Sequence, residues 1–444
     1  MRLNSLALVL TFGLASQGCL ATTESAQSAA KSNTIPKNII MVVADGMGPA
    51  YTTAYRNFVD DPSTDHIEKV VFDEMLVGNA ATNPAKVSGY VTDSAASATA
   101  LATGVKSYNG AIGVDVNKKP LPTVLHKAKE KGMKTGLAVT SQINHATPAS
   151  YMVANESRHN YDAIANSFFD DRIGDKFLAD VMLGGGTKHF VRKDRDVRKE
   201  FADHGYAIAT SYEELANLPK DKPILGLFAP LGLLPALDDT NRERLSFLTQ
   251  HAVERLENPN GFFLLVEASQ VDWAGHGNDI ASAMAEMHDL ATTMEYLKAY
   301  VEKHPDTLVV LTADHSTGGL SIGANGQYAW NPEFISNMKA SVGKIAKQLA
   351  QQQSPLLYLE EQLGFTLSAE DKKVLEKLVA EKDVDTVTSQ IKAFLDNKTN
   401  TGWTTSGHTG DDVEVFAFGA GYQGFTGQID NTDIAKKIFH LLDN

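Results

Sequence analysis

The residues Asn38-Ile39-Ile40-Met41-Val42-Val43-Ala44-Asp45-Gly46-Met47-Gly48 run from an unbroken apolar stretch into an acidic residue flanked by glycine. A run that is apolar at every position, not at alternate ones, suits a strand buried on both faces, and the glycines permit a tight turn. Asp45 is thus delivered at the carboxyl end of a buried strand. The pattern recurs. Lys134 to Thr140, Val181 to Leu183 before three glycines, Ile224 to Phe228, Phe262 to Val266 ending at Glu267, Thr307 to Leu311 ending beside Asp314, and Val413 to Gly419 all read as buried strands, with the last closing the set. Helical segments separate them: a small-residue helix that Asp93 or Ser94 caps and Leu101 to Val105 closes, then Pro122 to Lys131, Asn241 to Leu256 and Ile280 to Lys303. Such alternation predicts an α/β fold, a central, mostly parallel sheet with helices on both faces and ligands at the strands' carboxyl ends. The stretch from Asn331 to Asn400 is charged and helix-prone, and it predicts a mostly helical insertion at about 331–400 that packs over the site or forms a dimer surface.

With 444 residues, 43% hydrophobic and 21% charged, the chain has the composition of a soluble globule, and one large domain over 38–444 fits its length. A formal net charge of -14 excludes general attraction to nucleic acid. It also repels anionic substrates, so binding a phosphate ester needs cations close to the site. Arg2 precedes the apolar run Leu6 to Leu14, too short to span a bilayer, so residues 1–21 read as a signal peptide or lipoprotein leader and 22–37 as a polar tether. Cys19 follows Ser16, Gln17 and Gly18, where a bacterial lipoprotein carries its lipidated cysteine, while cleavage after Ala21 is the alternative. Either way the protein is expected in the periplasm, secreted, or anchored to a membrane, and its single cysteine forms no internal disulfide.

Five short polar segments fall where predicted strands end or helices begin. Ser94, in Thr92-Asp93-Ser94-Ala95, is placed at a helix N-terminus, where amide groups and the positive end of the dipole favour a nucleophile; a plain N-cap serine is the simpler reading of that segment alone. No G-x-S-x-G elbow surrounds it, which disfavours a protease or lipase. Asp272 and His276 stand four apart, a spacing that faces one ion on a turn or helix; a surface ion pair would use the same spacing. Asp314 and His315 end a strand, and His408 sits in a loop before Val413. Aspartate, histidine and serine of this kind suit zinc, whereas Glu267 and Thr147 suit a hard, oxygen-seeking ion. Each signal is weak alone, but several coinciding at strand ends point to a metal-assisted phosphoryl transfer around one serine.

Taken together, Ala44-Asp45-Gly46-Met47-Gly48, Thr92-Asp93-Ser94-Ala95, Thr103 to Gly110, Ala146-Thr147-Pro148, Thr312-Ala313-Asp314-His315 and Gly407-His408-Thr409-Gly410 resemble bacterial alkaline phosphatase from about residue 38 onward, in that family's order. The resemblance implies a homodimeric phosphomonoesterase with two Zn2+, one Mg2+ and a phosphoserine intermediate. Carried over, it makes Asp272, His276 and His408 ligands of one zinc and Asp45, Asp314 and His315 ligands of the other, beside the nucleophile Ser94. It also gives magnesium to Asp45, Thr147 and Glu267, and makes Arg158 the fork that grips phosphate oxygens.

Two positions depart from the enterobacterial pattern: His145 replaces an aspartate and Trp273 a lysine, as in family members from marine and cold environments. His145 leaves the third metal open between magnesium and zinc. Loss of the lysine predicts faster phosphate release. A sulfatase on this scaffold needs proline and arginine after its modified residue, whereas Ala95, Ala96 and Ser97 follow Ser94. A diesterase would favour threonine as nucleophile and lack the arginine, and a metal-storage protein would not need Ser94. The expected substrates are therefore small phosphate monoesters, hydrolysed at alkaline pH to scavenge phosphate outside the cytoplasm.

Overall fold

Every residue from Ile39 to Val43 is fully buried, because the strand lies mid-sheet with helices on both sides. The structure is a computed structural model that describes residues 35–379, 381 and 383–444; the leader, Cys19 and most of the polar tether lie outside these residues. The central sheet has ten strands, ordered Gly427–Asp430, Leu76–Ala81, Val413–Gly419, Thr307–Thr312, Asn38–Val43, Phe262–Glu267, Lys134–Gln142, Val181–Gly185, Ile224–Leu227 and Ala207–Ala209. All run the same way except Val413–Gly419, which pairs antiparallel with both of its neighbours. The mostly parallel α/β architecture expected from the sequence is therefore present.

Register explains why the polar residues meet. Val43 lies opposite both Thr312 and Glu267, and Glu267 lies opposite Val139 on its other side. Three strands consequently end at one level, at Val43, Thr312 and Glu267, and the fourth runs on to Gln142, so Glu267 at its strand's last position, Asp45 and Asp314 just beyond theirs, and His145 after Gln142 share one edge of the sheet. Gly46 makes the first of these turns possible. Its φ is +77°, and a Cβ there would stand 2.6 Å from Cα of Asp272. A side chain would meet both backbone strain and a clash.

Three corrections to the sequence reading concern elements without an apolar run. Val413–Gly419 does not close the set of strands, because Gly427–Asp430 follows and forms the sheet edge. Leu76–Ala81 and Ala207–Ala209 also join the sheet, although they are short and only partly buried. His408 is not in a free loop: His408–Thr409 pairs with Ser316–Thr317 as a two-residue ladder. Between residues 331 and 400 the chain forms helices Val342–Leu349, Pro355–Leu363, Ala369–Val379 and Val384–Thr399. Among the described residues, no helix is long and apolar enough to cross a membrane.

Candidate active site

Ser94 is the first residue of the helix Ser94–Thr103, and Asp93, not Ser94, is its N-cap, accepting a hydrogen bond from the Ala96 amide. Using Asp93 for the cap leaves the Ser94 hydroxyl free to face the strand ends. Its Oγ lies 3.2 Å from His315 Nε2, and the side chain is buried. The same Nε2 lies 3.3 Å from Asp45 Oδ1 and 3.2 Å from Asp314 Oδ2, so one hydroxyl, one imidazole and two carboxylates converge.

A second group adjoins it. His276 Nε2 is 3.1 Å from His408 Nε2 and 3.4 Å from Asp272 Oδ1, while His408 Nε2 is 3.7 Å from the same oxygen. The helix Gln270–His276 puts Asp272 and His276 one turn apart on a common face, so the helical alternative for that segment is realised. His408 comes into range through the short ladder to Thr317, and its Nδ1 bonds the Thr92 carbonyl at 2.8 Å, which directs Nε2 inward. The His315 and His408 rings stack with centroids 3.6 Å apart, joining the two groups. Thr317 gives no sequence signal as a site residue, yet its hydroxyl donates to Asp272 Oδ1 at 2.6 Å and contacts His315 Nδ1 at 3.1 Å.

A third group holds Asp45, Glu267 and His145, with donor atoms close enough to share one ion. His145, which the sequence reading connects only to the choice of third metal, is therefore itself a candidate ligand. Thr147, on the helix Ala146–Met152, is fully buried. Its Oγ1, both Asp45 oxygens, Asp314 Oδ2 and Glu267 Oε1 accept or donate no hydrogen bond, although all are buried. Buried acceptors without donors are costly, and cations satisfy them, so these residues fit the metals that the chemistry calls for. Burial, with neighbouring carboxylates adding to it, pushes Asp314 up to about 6 and Glu267 up to about 7. Burial pushes His315 and His145 down to about 3, helped by His408 in the first case and Arg158 in the second. Both rings are thus neutral, the form that binds a metal.

Arg158 reaches the same centre from the loop after Val153. Its Nη1 donates to Asp93 Oδ2 at 3.0 Å, and its Nη2 lies 3.4 Å from His145 Nε2. Asp93 is thus a site residue for which the sequence signals only a cap: it fixes the helix start and the guanidinium together. The Trp273 ring stands edge-on to His145, with centroids 6.0 Å apart.

A hydroxyl at a helix N-terminus, set between cation-seeking carboxylates and an arginine fork, belongs to metal-dependent hydrolases of phosphate esters. Residues 36–443 match the alkaline phosphatase family, and the chain belongs to it. It is 43% identical over 438 residues to alkaline phosphatase 4 of Bacillus subtilis, covering 98% of this chain and 95% of that one. It is 33% identical over 329 residues to the Escherichia coli enzyme, covering 63% and 70%. The crystal structure of a cold-active alkaline phosphatase from Shewanella superposes with a TM-score of 0.86 at 49% identity, covering 91% of this chain and 99% of that one. The protein is an alkaline phosphatase, a metal-dependent hydrolase of phosphate monoesters, and its likeness to the Shewanella enzyme accords with the cold-environment branch.

Proposed function

We propose that hydrolysis runs through a phosphoserine at Ser94, by two in-line displacements with net retention at phosphorus. The observation that carries this reading is the Ser94 hydroxyl itself, buried at its helix N-terminus 3.2 Å from His315 Nε2. Zinc held by Asp272, His276 and His408, zinc held by Asp45, Asp314 and His315, and magnesium or zinc held by Asp45, Thr147, Glu267 and His145 would supply Lewis acidity to the attacking and leaving oxygens. The chain's own groups do the rest. The first amides of the Ser94–Thr103 helix favour negative charge at Oγ and on the phosphoryl oxygens. Arg158 binds two non-bridging oxygens, and Asp93 holds its fork in place.

The enzyme acts as a homodimer outside the cytoplasm, at alkaline pH, with residues 38–444 as its catalytic domain and a helical insertion at about 331–400. The leader pattern in 1–21 supports export, and mass spectrometry of the mature N-terminus separates lipidation at Cys19 from cleavage after Ala21. The deciding experiment measures p-nitrophenyl phosphate turnover with zinc and magnesium present, then acid-quenches the enzyme with labelled phosphate. Activity that vanishes with chelator and in Ser94→Ala, with label on the Ser94 peptide, is the expected result. Full activity in Ser94→Ala would refute the reading.

A further inference from the structure

Gly232 has no role in the chemistry described so far, yet it lies directly against Trp273. A Cβ on Gly232 would stand 2.5 Å from Trp273 Cζ3, closer still to Cη2, and 3.2 Å from the Thr140 carbonyl oxygen. Its φ lies outside the left-handed range, so its backbone accepts any residue and strain does not require glycine here. What requires it is the indole ring.

The shelf beneath that ring is fixed. Leu233 donates its amide to the Thr140 carbonyl at 2.9 Å, and Gln270 Nε2 donates to the Leu233 and Thr140 carbonyls at 2.8 and 3.0 Å. The Ala229 carbonyl accepts from Gly186 at 2.8 Å, and the Ala236 amide donates to the buried Glu286 at 2.9 Å. Gln270 opens the very helix that carries Trp273, so shelf and ring share one frame. From the ring, contact passes to His145, edge-on, and from His145 Nε2 to Arg158 Nη2 at 3.4 Å.

We infer that Gly232 is a positioning residue for the phosphate pocket: its bare α-carbon sets the depth of the Trp273 ring, which backs His145 and through it the Arg158 guanidinium. The inference rests on the proposed role of Arg158 in gripping phosphate. Because the shelf is bonded on several sides, a methyl at Gly232 moves the ring more readily than the loop. Misplacement of a binding group by a fraction of an ångström is enough to be read in phosphate affinity.

The test is a double-mutant cycle on the metal-loaded enzyme, with inorganic phosphate as probe and 5-fluorotryptophan at Trp273, Trp330 and Trp403, the three tryptophans of the chain. Gly232→Ala is expected to shift the Trp273 fluorine resonance alone and to raise the phosphate inhibition constant and KM roughly tenfold, with kcat changing less. Trp273→Phe removes the ring atoms that the methyl meets, so in that background Gly232→Ala should change the inhibition constant by less than about twofold. Equal losses in both backgrounds would mean the glycine serves only the loop's folding, and would overturn the inference. So would an unmoved Trp273 resonance, or a moved one with unchanged phosphate affinity. Arg158→Lys, assayed alongside, reports separately on the pocket: if it leaves phosphate affinity unchanged, the reading of Arg158 fails whatever the fluorine spectrum shows.

Discussion

Replacing Arg244 with methionine should destabilise the protein by about 3 kcal/mol, the low end of the cost of breaking a buried ion pair from one side. Arg244 is completely buried between Glu286 and Asp289, themselves 4% and 1% exposed. Its guanidinium donates to Glu286 at 2.8 and 2.7 Å and to Asp289 at 2.9 Å. Methionine fills much of the volume but leaves two carboxylates facing each other without a cation. Burial already pushes Asp289 up to about 7, so this group takes up a proton and limits the loss, while its hydrogen bonds from the Leu245 and Ser246 amides persist. Glu286 keeps only the Ala236 amide. In urea unfolding, a slope above about 3 kcal/mol/M for a chain of this size turns that loss into a midpoint lower by somewhat less than about 1 M. Neutralising the carboxylates as well, in Arg244→Met with Glu286→Gln and Asp289→Asn, should recover most of it, since the cost lies in the stranded charge. A single mutant that loses less than about 1 kcal/mol, or a triple mutant no better than the single, would refute this account.

Chelation should destabilise the enzyme more at pH 8 than at pH 5. Without cations, Asp314 at about 6 and Glu267 at about 7 are raised above their unfolded values, so the stability they give at low pH is lost as pH rises through 6 to 7. Thermal melts of stripped and loaded protein at the two pH values test this, and a gap that does not widen with pH would count against it. Lys392 Nζ donates at 2.5 Å to the carbonyl of Gly277, the C-cap of the helix bearing His276. Lys392→Met should therefore raise the zinc concentration needed for half-activity roughly tenfold, a size seen when outer partners of ligands are lost; an unchanged zinc titration would show that this lysine does not steady the helix. Trp273→Lys should lower the phosphate inhibition constant roughly tenfold by adding a cation near the pocket, and unchanged inhibition would end the idea that the tryptophan speeds phosphate release.

The central strands were legible because burial on both faces leaves uninterrupted apolar runs such as Ile39–Val43, and parallel pairing then dictates where Asp45, Glu267 and Asp314 meet. The strands at one edge of the sheet and next to it were not. Leu76–Ala81 and Gly427–Asp430 are half exposed and include glycine or polar residues, so their pairing comes from neighbours and not from their own pattern. The same reason hid the His408–Thr409 ladder, since two residues cannot display a period. Asp93 and Thr317 escaped for another cause: each works through partners distant in sequence, Arg158 in one case and Asp272 in the other. Gly232 carried no signal at all, because the property that matters is the space it leaves for Trp273.

The helix Asn431–Asp443 packs on the helix that Ser94 begins, and Asn431 Nδ2 donates to Ser97 Oγ at 3.0 Å while Ser97 Oγ holds the Asp314 carbonyl at 2.7 Å. A ribosome must therefore have made the chain past residue 431 before the Ser94 helix gains its backing, and past residue 408 before the last imidazole of the site arrives. A chain that stops before residue 408 lacks an imidazole of the site, and one that stops before residue 431 lacks the hydrogen bond that ties Ser97, and through it Asp314, to the last helix.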